Sequence, residues 1–222
     1  MAILPASSTS LATFETVIRA SAGALSPQES LVFNDELDEM IDRAVNQTYS
    51  IARLFLHESY ITVEPVTEVS GTIDLSGKRI AEKKPNKMKL TDSISGEINI
   101  VTPYLWQSIK TLYPAGELDN AIFARLVTQV IGTNEVYSFQ VFRGTNRTTV
   151  GTQEFTYCRL PKRAVLPAEM IDLPDDYIAI SEDIGTLMLM RRIAHAPPAE
   201  LEQRVVAFIQ SQAQQAQAGG KT

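Results

Sequence analysis

Residues able to carry catalytic or metal chemistry are scarce in this 222-residue chain. Only two histidines are present, His57 and His195, and neither has a partner of the right type four residues on. With a single cysteine, Cys158, a zinc set or a nucleophile–base–acid triad has almost nothing to draw on. His57 stands beside Glu58 near the end of an expected helix, and His195 just ahead of Pro197-Pro198, so both read as helix-end or solvated histidines. Cys158 falls between Tyr157 and Arg159 in an expected strand and reads as a structural thiol. Being alone, it excludes an internal disulfide framework and a multi-thiolate metal site. Asp175, Asp176, Glu182 and Asp183 include pairs seven apart, as carboxylates on one helix face would be, but no histidine or second acidic cluster is tied to them. They read as acids favoured near a helix start. The same holds for Glu29, Asp35, Glu36, Asp38, Glu39 and Asp42, which precede Arg43. Gly219-Gly220-Lys221-Thr222 has the letters of a phosphate loop, but no strand precedes it and no helix follows. The expectation is of no catalytic, cofactor or metal-binding set.

The elements around these residues fall into three stretches. Leu11, Phe14, Val17 and Ile18 share a helical face over 11–22, and Gly23 closes that helix. Ser26-Pro27-Gln28-Glu29 is a helix-start signal. From Leu37 through Ile41, Ala44, Val45, Thr48, Ala52 and Phe55 the helical period runs to about Glu58, as one helix or as two broken near Phe33-Asn34-Asp35. At Tyr60 the period changes from 3.6 to 2: Ile61, Val63, Val69, Ile73 and Leu75 alternate with polar residues, punctuated by Ser70-Gly71 and Ser76-Gly77. A further strand is expected over 94–101, with Ile94, Ile98 and Ile100 on one side. The lysine-rich stretch 78–89 between them reads as an exposed hairpin tip. Thr102-Pro103 opens a short helix carrying Leu105, Ile109 and Leu112, and the β-branched stretch 121–131 leans to strand. Tyr137, Phe139 and Val141, then Phe155 and Tyr157, alternate on either side of Arg143-Gly144-Thr145-Asn146-Arg147, which suggests a meander or hairpin over 135–160. After a proline-punctuated connector, Asp172-Leu173-Pro174-Asp175 starts a helix with Tyr177, Ile180, Ile184, Leu187, Met188 and Ile193 along one stripe. Ala196-Pro197-Pro198 turns the chain into a second helix carrying Leu201, Val205, Phe208 and Ile209, an antiparallel helical hairpin. Beyond Ile209 the apolar pattern stops and a Gln/Ala-rich tail follows. The fold class is thus α+β, with terminal helices forming a small bundle (1–59 and 161–210), a β-rich insertion (60–160) and an extended C-terminal tail (211–222).

Composition is ordinary for a globular chain, 44% hydrophobic and 21% charged, which excludes collagen, coiled-coil and fully disordered classes. The net charge of −6 argues against nucleic-acid binding over the whole surface. No window reaches the ~20 apolar residues of a membrane span, and the N-terminus lacks a basic signal-peptide flank, so a soluble protein, intracellular when made, is expected. The charge is uneven. Residues 78–89 carry six Lys/Arg and 143–163 five, so 11 of the 20 cations lie in two segments and the other nine face 24 acids. A basic side of this kind suits an acidic neighbour or a phosphate backbone. Lys83, Lys84, Lys87 and Lys89 are the candidate partner-binding residues there. The tail, through Gln212, Gln214, Gln215, Gln217, Gly219, Gly220, Lys221 and Thr222, is the second candidate, since a segment with no core-forming face gains order from a partner.

Three features together resemble the head-to-tail adaptor (connector) proteins of tailed bacteriophages: the early helix with Leu31-Val32-Phe33-Asn34-Asp35-Glu36-Leu37, Ile41 and Ala44; the helix opening Leu173-Pro174-Asp175-Asp176-Tyr177 after a proline-rich connector; and the short terminal helix with its polar tail. The resemblance covers about 80–90 residues at the two ends; the β-rich middle departs from the smallest members, although larger ones carry an insertion. It implies a non-enzymatic ring, typically of twelve subunits, that docks beneath the portal protein, contacts tail or neck proteins, and lines a channel through which DNA passes without sequence recognition. It places the protein in the virion neck, and in the host cytoplasm during assembly. The tail would grip the portal. Two other readings stand beside it: another neck or tail-completion component, and a cytosolic ligand-binding or enzymatic α+β domain using the β-rich insertion.

Overall fold

The computed structural model describes residues 7–23, 34–112, 122–131, 134–144 and 149–219. It is a mixed α and β structure with five α-helices and an eight-stranded sheet among those residues. The helices are α1 (Leu11–Ser21), α2 (Asn34–Leu56), α3 (Pro103–Leu112), α4 (Ile178–Arg192) and α5 (Ala199–Gly219). The strands are β1 (Ile61–Val66), β2 (Glu68–Val69), β3 (Thr72–Asp74), β4 (Met88–Asp92), β5 (Gly96–Val101), β6 (Ile122–Ile131), β7 (Asn134–Arg143) and β8 (Gln153–Cys158). By its internal contacts the chain divides into two units, Met1–Ser59 with Leu160–Thr222, and Tyr60–Arg159.

In the first unit α1, α2 and α5 all pack on α4. Ser10 caps α1, its hydroxyl accepting from the Thr13 N–H at 3.3 Å. Leu11, Phe14 and Ile18 of α1 and Leu37, Ile41, Ala44, Val45, Tyr49 and Ala52 of α2 are buried, which is the helical spacing of the sequence. The stripe expected on α4 is incomplete. Ser181, Thr186, Leu189 and Met190 are buried as well, whereas Ile180, Met188 and Ile193 are only half-buried. A helix contacted by three others has no solvent face to keep polar, so a one-stripe reading misses part of its core. Gly185 permits the close approach: a Cβ there would lie 2.5 Å from Ile18 Cδ1 and 3.7 Å from Ala44 Cβ. α5 runs antiparallel to α4, because Arg191 pairs with Glu202 while Asp183, further back on α4, pairs with Arg204 further on in α5. The expected helical hairpin is present, but the extended tail is not: α5 continues unbroken to Gly219. Alanine and glutamine are good helix formers, and nothing between Pro198 and Gly219 interrupts them. Ser26–Glu29, Leu31–Phe33 and Gly220–Thr222 lie outside the described residues.

In the second unit the strand order is β1-β8-β4-β5-β6-β7-β3-β2. The two outermost strands, β1 and β2, are one segment broken only at Thr67, so the sheet curls until it nearly closes as a small barrel. Ile73, Leu75, Ile80, Met88, Leu90, Ile98, Phe139, Phe155 and Tyr157 fill its interior. α3 links β5 to β6, the one parallel pair among the described residues, and seats Trp106 and Ile109 with Val101 against Phe123 and Phe142. Three expectations are corrected. β7 and β8 are not a hairpin or meander: β7 pairs with β6 and β3, and β8 with β1 and β4. Residues 78–89 are not a hairpin tip, because Ile80 bridges to Arg159 and Met88–Leu90 already belong to β4. The hairpin is β4–β5, whose turn uses Ser93-Ile94-Ser95 and closes on Gly96 at φ +78°, leaving Ile94 exposed outside the strand. The strand expected over 121–131 is found at Ile122–Ile131, and the short helix opened by Thr102-Pro103 at Pro103–Leu112.

Gly185→Leu is expected to lower the stability of the helical unit by about 1–3 kcal/mol through overpacking. Gly185→Ala, whose methyl is crowded only by the far end of Ile18 and meets Ala44 at ordinary contact distance, is expected to cost less; urea titration of both variants checks the difference.

Candidate functional site

The most enclosed polar cluster lies at one end of the barrel and was not singled out from sequence. Arg143, the last residue of β7, directs Nη2 to Glu68 Oε2 at 2.7 Å and to Asp92 Oδ2 at 3.1 Å, with Nε 3.1 Å from Glu68 Oε2. The three side chains are 9, 5 and 0% exposed. Gln153 donates to Glu68 Oε2 at 2.7 Å. Asp92 accepts from the Ile94 and Ser95 N–H groups, both at 2.9 Å, and from Gly151 N–H at 3.1 Å. Burial pushes the Asp92 carboxyl up, but these backbone donors and the Arg143 guanidinium outweigh it and hold the group down at about 2. A guanidinium between two carboxylates clamps β2, β4 and β7 together; it offers no nucleophile and no proton to transfer near neutral pH. Arg143 Nη1 and Gln153 Oε1 are buried without a hydrogen-bond partner among the described residues. In sequence Arg143 sits in a turn and Glu68 at a polar strand position. The legible signal was Asp92 followed four residues later by Gly96, a pattern that pins a strand turn.

A second polar group stands towards the opposite end. Tyr157 donates to Glu64 Oε1 at 3.2 Å, and Lys78 pairs with Glu64 Oε2. Burial and the adjacent Glu64 charge push the Tyr157 hydroxyl up to about 12. Lys83 pairs with Glu135 at 3.2 Å and lies 4.0 Å from the ring centre of Tyr137, whose hydroxyl donates to Glu135. Next to them is a cleft of about 440 Å³ lined by Leu75, Gly77, Lys78, Arg79, Glu135 and Tyr137.

This pairing revises the reading of the basic segment. Of the four candidate lysines, Lys83 pairs with Glu135 and Lys89 with Glu97 across the β4–β5 ladder. Lys84 and Lys87 are exposed, and among the described residues neither has an ion-pair partner. Lys84 precedes the 3-10 turn Pro85–Lys87 and Lys87 ends it, and the two are what remains of the four to meet an outside anion. Both units inherit the uneven charge: the helical unit holds 16 acids and nine Lys/Arg, net −7, and the barrel unit ten acids and 11 Lys/Arg, net +1.

The tail candidates divide as well. Gln214, Gln215 and Gln217 are exposed on the last turns of α5, whereas Gln212 is half-buried. Gly219 ends the helix, while Gly220, Lys221 and Thr222 are outside the described residues. α5 leans inward through Leu201, Val205 and Phe208, the last meeting Tyr177 ring to ring at 6.2 Å. It leaves a second apolar stripe, Val206 and Ile209, 49% and 43% exposed. Cys158 is buried, and the acids at 175–183 form no shared site: Asp175 accepts from Ser8 at 2.8 Å and Asp183 pairs with Arg204. Among the described residues no group of His, Cys, Asp and Glu is arranged to hold a metal, and no helix is long and apolar enough to cross a membrane. No family model matches this chain, and no curated protein matches it.

Because the Asp92 carboxyl is held below its unfolded value of 3.8, its contribution to stability is present above pH 4 and is lost as pH falls from about 4 to 2. That loss is expected to be about 2 kcal/mol, to be absent from the already weakened Asp92→Asn variant, and to be measurable by urea unfolding at stepped pH.

Proposed function

We propose that this protein is a structural adaptor of a tailed-bacteriophage virion, docking as a ring beneath the portal and joining it to the tail. On this reading the helices from both ends of the chain form the body of each subunit, and residues 60–160 are an insertion directed to neighbouring parts. The observation that carries the proposal is α5. It is a 21-residue helix that seats one face on its own unit. It leaves Val206 and Ile209 open and extends a Gln/Ala-rich end that contributes nothing fully buried after Leu201. A helix with a spare apolar stripe and hydrogen-bonding amides along its end is suited to a groove on another protein. Charge supports the same reading, since a helical unit of net −7 lining a channel would let DNA slide past without binding. The ring, of twelve subunits in the family it resembles, would present unlike faces to its neighbours, which suits two units of different charge.

Deleting Ser211–Thr222 is expected to leave the helical content per residue and the unfolding midpoint within error, because no fully buried side chain is removed among the described residues, while abolishing capture by the portal protein. Retained capture would contradict the role given to α5. The double variant Lys84→Glu, Lys87→Glu is expected to fold normally and to weaken attachment of the next neck or tail component, read by co-sedimentation. Reversing Lys83 or Lys89 would confound that test, since each would then repel its own glutamate.

A further inference from the structure

We infer that one proton held between Glu15 of α1 and Asp38 of α2 latches these two helices, and that the latch opens as pH rises through neutrality. The two carboxyls hold matching places on their helices. Glu15 follows the buried Phe14 and stands three residues before the buried Ile18; Asp38 follows the buried Leu37 and stands three residues before the buried Ile41. Both are therefore half-buried at the margin of a core-facing stripe, and where α1 meets α2 the two side chains form a hydrogen bond. Two carboxylates cannot make that bond, because each only accepts. Asp38 Oδ1 is buried, and no N–H or hydroxyl among the described residues reaches it. A protonated Glu15 supplies the donor that this carboxylate otherwise lacks. The latch acts within one chain and does not rest on the adaptor reading.

The surrounding charges set where the proton leaves. Burial and the Asp38 carboxylate push the Glu15 carboxyl up to about 7, while the buried Arg19, one turn further along α1, offsets part of the rise. Elsewhere on α2, Glu36 pairs with Arg192 and Glu39 with Arg43, and Asp42 stands one turn beyond Asp38. On α4, Asp183 and Arg191 are engaged with Arg204 and Glu202 of α5, and Glu182 lies against Asp183. In the connector packed on the start of α1, Glu169 accepts from the Val165 and Leu166 N–H groups. Of the described groups, Asp38 and Arg19 are the charges that act on Glu15. Unfolded, Glu15 returns to its ordinary 4.5, so the folded protein binds the extra proton between about pH 4.5 and 7. Stability from this contact is full below that window and is lost as pH rises through 7, where both carboxylates are charged and repel. The Asp92 loss lies at lower pH and does not overlap it.

Urea unfolding at pH 5 and pH 8 compares the unchanged protein with Glu15→Gln, whose amide donates to Asp38 at every pH. Every other titrating group is common to both proteins, so the difference between them carries the test. From pH 5 to pH 8 the unchanged protein is expected to lose about tenfold or more in folding equilibrium constant beyond any loss in the variant. Amide exchange, corrected for its intrinsic pH dependence, locates the effect. Protection of α1 is expected to fall between pH 6 and pH 8 in the unchanged protein and to hold in Glu15→Gln. Carbon-13 resonances of the Glu15 carboxyl read its titration without any variant, and a midpoint above about 6 is expected. A smaller difference between the two proteins, α1 protection that does not fall, or a Glu15 midpoint below that value would each overturn the inference.

Discussion

The segment Ile61–Val69 pairs with two different strands across a break of a single residue, and the barrel unit depends on it. β1 holds β8 and β2 holds β3, so the sheet is drawn round until it nearly closes. Within it Leu90, Phe139 and Phe155 are fully buried together, with Phe139 and Phe155 meeting edge to face at 5.2 Å. Glu68 follows the break directly, and Arg143 ties it to Asp92 at the end of β4. Buried charges lose hydration that their mutual attraction barely offsets, so the whole clamp adds little over an apolar replacement, although removing one member is costly. Its effect is on uniqueness: any slip of β2 or β7 would leave a charge buried and alone.

The helical unit is governed by a different constraint, crowding around α4. Gly185 lets α1 and α2 approach closely, and α5 packs on the same helix. How α5 is held along its length matters for function. α5 is anchored at its start by Leu201 and by the paired ions Arg204–Asp183 and Arg191–Glu202, and its later turns are increasingly exposed. A helix held firmly at one end and loosely at the other can exchange solvent for a partner with little disturbance to the core.

Periodicity made the elements legible and pairing less so. The change at Tyr60, the helices over 11–22 and 37–58, the short helix at 102–112 and the helical hairpin after Pro174 all follow from local spacing, because each buries a face that its own sequence defines. Partner choice depends on residues far apart, and there adjacency in sequence misled: β7 and β8 look like a hairpin but are divided by the closure of the sheet. The lysine-rich stretch was read as a solvated tip because its acids, Glu64, Glu97 and Glu135, are supplied by other strands. The tail was read as extended because helical pattern was sought in apolar spacing, whereas its helix rests on the propensity of alanine and glutamine. Of the candidate contact residues, Lys84, Lys87 and the exposed glutamines of α5 keep the exposure a partner requires, and the Arg143 clamp was hidden because its members span 75 residues of sequence.

The central claim is that this chain is built to assemble with a larger ring. Native mass measurement of the purified protein, alone and then mixed with a portal protein as the proposed partner, tests that claim most directly. The account predicts a monomer by itself and a defined complex, of one adaptor copy for each portal subunit, on mixing. A protein whose mass is unchanged by the portal at any ratio would contradict it.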